Sequence, residues 1–227
     1  MTLLRLAGAM AAKDLRIELR GRYAVSTALP FAATLLIAFG LSLGPGRTLL
    51  EAAAPGLLWL AALFASVLLA RGAYESETED GALEGLVLAP VDKAAVFIGK
   101  AAAIACGLLA LEAAVLAMVV VLFGLPVGGN GGDAVVLAAT LVLGTVGLAA
   151  VGSLFGVLAA VPRAREAVLP LLVMPLATPV LLAGVRATAL ATTGRGAQAG
   201  SWLGLLVAFD LVFLAAGTLV FEYLLED

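Results

Sequence analysis

The sequence predicts an all-α membrane protein with six transmembrane helices and both termini in the cytoplasm. Of the 227 residues, 63% are hydrophobic and 13% are charged, whereas soluble domains carry about 25% charged residues. The mean hydropathy is +1.14, which excludes water as the main solvent. The sequence contains repeated charge-poor stretches, and their lengths approach or exceed the roughly 20 apolar residues needed to cross a bilayer. These predicted spans are residues 23–43, 55–73, 94–123, 134–161, 168–185 and 201–224. They leave no room for a soluble domain, so residues 1–227 are predicted to form a single transmembrane domain.

Lysine and arginine are divided unevenly among the predicted connections, and this division predicts the orientation. Ten of the 13 precede the first span, bracket the connection between spans two and three, or lie between spans four and five. These ten are Arg5, Lys13, Arg16, Arg20, Arg22, Arg71, Lys93, Lys100, Arg163 and Arg165. The other three are Arg47, Arg186 and Arg195. The positive-inside rule makes the larger set cytoplasmic. The first span is then an uncleaved anchor with the N-terminus inside, and six spans return the C-terminus to that side.

Residues 1–22 are predicted to form an amphipathic helix on the cytoplasmic surface of the membrane. At 100° per residue, Arg5, Lys13, Arg16 and Arg20 share one narrow sector. An apolar sector with Leu3, Leu6, Met10 and Ile17 lies beside it. This pattern suits an interfacial helix, although a basic solvated helix that only sets the topology explains it equally well.

The predicted outer connections, at 44–54, 124–133 and 186–200, are too short to form a domain. The fifth span contains Pro170, Pro175 and Pro179, which discourage a straight helix. We therefore expect a kinked or partly re-entrant segment there.

Glycine pairs and a single cysteine inside the predicted spans indicate how the helices pack against one another. Glycine pairs at 40/44, 152/156 and 200/204 have the spacing that allows close helix approach, within one chain or across a homodimer. The single cysteine, Cys106, is interpreted as a buried packing residue.

The longest cytoplasmic connection, 71–93, is the most informative segment. Its acidic residues Glu75, Glu77, Glu79, Asp80 and Glu84 precede or intersperse an apolar set, Leu83, Leu86, Val87 and Leu88. Residues 75–90 are therefore predicted to form a short amphipathic helix that ends at Pro90. Asp92 is predicted to cap the third span. Such a helix suits docking into a groove on a soluble partner, and the alternative is a solvated acidic loop.

Residues 54–101 resemble the heme exporter protein B family of cytochrome c maturation. The matching features are Pro55-Gly56 with Trp59, Glu79-Asp80-Gly81, the alternating run from Leu83 to Pro90, and Gly99-Lys100. The Lys13 to Arg20 segment also resembles the family. The likeness is close over the first half of the chain and rests on hydropathy, Pro and Gly placement over the second.

The resemblance implies an ABC-2-type exporter permease in the bacterial inner membrane. It implies an ATPase-docking role for Glu79, Asp80, Leu83, Glu84 and Leu86. It also implies a complex with a cytoplasmic ATP-binding subunit, a multi-span heme-handling subunit, a small single-span subunit and a periplasmic heme chaperone. A permease homodimer in contact with membrane lipid is expected, with no nucleic-acid partner.

The sequence lacks the motifs for several kinds of chemistry. No phosphate-binding G-x-x-x-x-G-K-[ST] loop is present, because Ala94 and Ala101 replace its first glycine and its hydroxyl residue around Gly99-Lys100. ATP is therefore expected to be bound by a partner. With no histidine, the chain is not expected to bind heme iron or another metal directly, and heme is expected only as cargo of the complex.

Two carboxylates lie inside predicted spans, Glu112 and Asp210. Ionisable groups inside a bilayer are candidates for function because their insertion is unfavourable. Either residue could pair with a neighbour or stay protonated, Asp210 could contact another subunit, and we expect structural pairing rather than cargo contact. No catalytic site is predicted. The alternatives to a heme-handling permease are a general exporter of lipid, drug or polysaccharide, an intramembrane enzyme that uses these two acids, and an assembly scaffold.

Overall fold

The computed structural model describes residues 3–22, 24–79, 92–127, 130–160 and 168–224. Within these ranges all regular secondary structure is helical. The α-helices are α1 (Leu3–Gly21), α2 (Leu29–Leu43), α3 (Arg47–Glu79), α4 (Lys93–Phe123), α5 (Gly131–Ala160), α6 (Val168–Thr192) and α7 (Gly200–Leu224). A π-helical turn, Ala24–Ala28, leads into α2, and a 3₁₀ turn, Gly196–Gln198, precedes α7.

The described chain contains six helices that are long and apolar enough to cross a membrane, α2 with its π-helical turn and α3 to α7. A helix satisfies its backbone hydrogen bonds internally, which hydrocarbon requires of any segment that crosses it. The predicted all-α architecture with six spans is confirmed.

Two of the predicted outer connections are shorter than expected because helix replaces loop. Helix α3 begins at Arg47, where the Arg47 guanidinium donates to Glu51 Oε1 one turn later at 2.8 Å. The connection predicted at 44–54 is therefore reduced to residues 44–46. Helix α6 continues to Thr192, since Ala187, Thr188 and Ala191 are buried against neighbouring helices.

The proline-containing fifth span is a single helix. Pro175 and Pro179 lie inside α6, which is continuous from Val168 to Thr192. The re-entrant alternative is therefore wrong. Proline removes a backbone donor, but membrane helices tolerate it where neighbouring groups cover the freed carbonyls.

Trp59 holds α3, α5 and α6 together at the centre of the bundle. Its side chain is fully buried, and its indole N–H donates to Thr188 Oγ1 on α6 at 2.9 Å. A Cβ at Gly144 would lie 2.0 Å from the ring, and one at Gly184 would lie 2.4 Å from it. These two glycines are therefore required for the indole to fit between the helices.

The predicted glycine pairs differ in what they contact. A Cβ at Gly152 would lie 3.2 Å from Ala70 on α3, and one at Gly156 would lie 2.2 Å from the ring of Tyr74. This pair therefore packs α5 against α3 within one chain. Gly200 and Gly204 have no neighbour within 4 Å of an added Cβ, so that pair takes no part in packing among the described residues.

Helix α1 packs along α4. A Cβ at Gly99 of α4 would lie 2.7 Å from both the Ala7 carbonyl oxygen and Met10 Cβ, so the two backbones approach closely. Helix α1 ends where Arg22 adopts a left-handed φ of 52°. There the Glu18 carboxylate accepts the Ala24 N–H, which fixes the turn between α1 and the first span.

Candidate functional site

The predicted docking segment connects α3 to α4. Residues 75–79 continue α3 and do not begin a separate helix, which corrects the predicted start of the segment at residue 75. The side chain of Glu79, and all of Asp80, Leu83, Glu84 and Leu86, lie outside the described residues. On the far side Asp92 caps α4 as predicted, because its Oδ1 accepts the Ala94 N–H at 3.0 Å.

Lys100 forms a buried ionic contact close to this segment. Its side chain is 1% exposed, and its Nζ lies 3.3 Å from Asp14 Oδ2 on α1. Lys13 Nζ lies 3.4 Å from the other oxygen, Asp14 Oδ1. The ammonium of Lys100 also lies 4.7 Å from the centroid of the Tyr74 ring, within the distance of a cation–π interaction.

Tyr74 extends this contact to a fourth helix. Its hydroxyl lies 2.9 Å from the Ser153 hydroxyl on α5, a distance that makes a hydrogen bond. Its ring packs where Gly156 has no side chain. Asp14, Tyr74, Lys100 and Ser153 thus connect α1, α3, α4 and α5, and we refer to these four residues as the Lys100 cluster.

The burial of Lys100 adds to its interpretation as a cation that brackets the cytoplasmic connection. It lies seven residues into α4, about 10 Å along the helix axis from Lys93. A lysine flanked on both sides by apolar helix is an intramembrane ionisable residue by the same criterion that identified Glu112. That signal was present in the sequence. Asp14 and Tyr74 had no comparable signal, because their role depends on the packing of α1 and α3 against α4.

A small cavity lies beside the Lys100 cluster. Its volume is about 40 Å³, which is room for about three waters. Its polar lining comes from Asp14 and Glu18 of α1, and its apolar lining from Ile17 of the same helix and from α3 and α4. A ligand pocket is typically about 300 Å³ or larger, so this cavity suits water and is too small for heme.

The two intramembrane acids lie in different environments. Glu112 on α4 is 1% exposed, and its Oε2 accepts a hydrogen bond from the Thr145 hydroxyl on α5 at 2.7 Å. Asp210 on α7 is 6% exposed, and neither of its carboxylate oxygens has a hydrogen-bond partner among the described residues. It fills the space left by Gly147, where an added Cβ would lie 2.8 Å from Asp210 Oδ1. The structure therefore places the two acids against different residues of α5.

The side chains that could ligate a metal are dispersed. Among the described residues no three His, Cys, Asp or Glu side chains lie close enough to hold a metal ion. Cys106, interpreted from the sequence as buried, is exposed on α4. The prediction was wrong because residues in an apolar stretch of a membrane helix can face either the packed interior or lipid.

Comparisons with known proteins extend the likeness beyond the first half of the chain. A sequence model of the family described as CcmB protein matches residues 5–226. Heme exporter protein B of Pseudomonas aeruginosa is 32% identical over 211 residues, covering 92% of this chain and 87% of the relative. The protein of that name from Rhodobacter capsulatus is 33% identical, covering 92% of this chain and 90% of the relative. The one from Bradyrhizobium diazoefficiens is 30% identical and covers 92% of each chain.

Proposed function

The chain belongs to the heme exporter protein B family, and from this premise we propose that it is the permease subunit of the heme-handling ABC complex of cytochrome c maturation. The match to the family over residues 5–226 is the observation that supports this function. Six helices able to span a membrane provide the scaffold that a permease requires. We place the protein in the bacterial inner membrane with both termini in the cytoplasm, as the distribution of lysine and arginine favours.

ATP is bound and hydrolysed by a partner in this proposal. The chain has no phosphate-binding loop around Gly99-Lys100, so a cytoplasmic ATPase supplies the energy. It docks on the end of α3 and the segment that follows it, through Glu79, Asp80, Leu83, Glu84 and Leu86. The acidic and apolar composition of that segment supports such a contact.

Heme is the cargo of the complex, and its iron is held by another subunit in this proposal. The chain has no histidine, the most common protein ligand of heme iron in oxygen-binding proteins. A multi-span heme-handling subunit, a small single-span subunit and a periplasmic chaperone complete the complex. A permease homodimer would move as the ATPase closes, either to export heme or to release the loaded chaperone.

The docking assignment is tested by changing the segment while leaving the spans intact. The double variant Leu83→Asp with Glu84→Lys reverses the character of two adjacent docking residues. We expect it to insert normally, to lose co-purification of the ATPase and to lose production of c-type cytochromes. Insertion, association and holocytochrome yield are measured in the same cells.

The matched control makes the same two changes at the opposite end of α3. Leu49 is 53% exposed, and Glu51 makes a surface ion pair with Arg47, a type of contact that contributes little to stability. Leu49→Asp with Glu51→Lys is therefore expected to retain association and maturation. Normal ATPase association in the Leu83 and Glu84 variant would contradict the docking assignment. Purification with an ATPase but without any heme-handling subunit would favour the general exporter.

A further inference from the structure

Lys100 of α4 lies between Tyr74 of α3 and Asp14 of α1. Tyr74 is near the end of α3, before the segment, and Lys100 is near the start of α4, after it. The lysine contacts the Tyr74 ring on α3 and the Asp14 carboxylate on α1. A displacement of the segment that moves α3 and α4 therefore acts directly on the partners of Lys100.

Helix α1 is held against α4 by two independent contacts. One is the buried ion pair, with Lys100 1% and Asp14 9% exposed. The other is the close approach at Gly99, where no Cβ can be accommodated between Ala7 and Met10. The contact at Gly99 leaves no room for a side chain and lies next to the ion pair. Together they resist sliding of α1 along α4, because packed interfaces move between discrete arrangements and do not deform continuously.

We propose that Lys100 is a positioning residue that makes α1 and the start of α4 move as one unit, so that motion of the docking segment reaches α1. The proposal rests on the proposed function, since it assumes that the segment between α3 and α4 receives the ATPase. It assigns to α1 a role in transmitting motion, in addition to its role in topology. The Tyr74–Ser153 hydrogen bond passes the same displacement to α5.

The test is Lys100→Met in the full complex, where the docking residues are unchanged. We expect the ATPase to co-purify normally, while holocytochrome yield falls about 5- to 150-fold, the usual range of coupling between two sites. Arg16→Met is the matched control, because Arg16 is an exposed cation on α1 outside the Lys100 cluster. That variant is expected to mature cytochromes normally.

A second readout follows the motion of α1 itself. A nitroxide label is placed on Leu19→Cys, since Leu19 is 69% exposed on α1, with Cys106→Ala to remove the native thiol. We expect a non-hydrolysable ATP analogue to change the spectrum in the otherwise unaltered complex and to leave it unchanged with Lys100→Met. A purely structural role for Lys100 would leave the nucleotide response of correctly inserted protein intact.

Two double variants separate coupling from stability. Asp14→Leu with Lys100→Met removes both charges together, and apolar replacement of a buried ion pair is often neutral or stabilising. We expect it to insert and to bind the ATPase but to remain defective in maturation. Asp14→Lys with Lys100→Asp restores the ionic contact in the reverse sense and is expected to recover maturation.

The proposal is overturned if Lys100→Met matures cytochromes normally or if the apolar double variant regains full activity. Either result would leave the proposed function standing, because ATPase association depends on the docking segment. Loss of the proposed function would instead appear as normal association in the Leu83 and Glu84 variant.

Discussion

Asp14 on α1 is partly buried and Asp210 on α7 is buried, but the surroundings of the two carboxyls are opposite. Asp14 is contacted by two ammonium groups, those of Lys13 and Lys100. Asp210 lies against Gly147, and its oxygens have no hydrogen-bond partner among the described residues. The first site is near the cytoplasmic end of α4 in the proposed orientation, and the second is about midway along α7.

The difference shows that burial alone does not give an ionisable residue its role. A paired charge constrains the helices that contribute its partners, because separating them exposes an unpaired ion to a medium of low dielectric. An unpartnered carboxyl imposes no such geometry. Asp14 is therefore suited to transmitting motion between helices, whereas Asp210 is not tied to the position of any other polar side chain in the described chain.

The largest effect is expected for Asp14→Asn, which keeps the shape of the side chain and removes its charge. We predict a loss of about 3 kcal/mol in the free energy of unfolding, the lower end of the range for breaking a buried ion pair. The amide oxygen can still accept one hydrogen bond from Lys100, which limits the loss. Unfolding in mixed micelles as a function of denaturing detergent measures this change. A loss below about 1 kcal/mol would mean that Lys100 is stabilised by other groups and that the Asp14 contact is weak.

The smallest effect is expected for Asp210→Asn, the same substitution at the unpartnered site. We predict a change within about 1 kcal/mol, because the carboxyl has no buried partner to leave unsatisfied. The same micelle experiment compares the two variants directly, so each is the control for the other. A loss as large as that of Asp14→Asn would reveal a partner for Asp210 in another subunit or in another conformation.

The fold was largely predictable, because the bilayer imposes length and composition on each span. Six charge-poor stretches and the Asp92 cap lead directly to helices. The helix ends were less predictable, since α3 begins at Arg47, within a stretch with polar residues that was predicted to be a loop. The central position of Trp59 also could not be derived, because it depends on Gly144 and Gly184 being brought together from two other helices.

The candidate site was predictable only in part. The acidic composition between α3 and α4 was enough to predict a docking segment there, and its docking role remains a proposal. The ion pair between Asp14 and Lys100 joins residues 86 positions apart, so no local pattern reports it. The hydrogen bond between Thr145 and Glu112 also joins residues that are distant in sequence. In addition, the hydroxyl of a threonine in an apolar helix usually bonds to the backbone of its own helix, so Thr145 gave no sign of another partner.

The central claim is that an ATPase docks on the segment between α3 and α4, and cross-linking tests it most directly. A photoreactive amino acid replaces Leu83 in one strain and Leu49 in another, and the complex is irradiated in intact membranes. The account predicts a covalent adduct with the ATPase from position 83 and none from position 49. An adduct from position 49, or none from position 83 in a complex that still contains the ATPase, would contradict it.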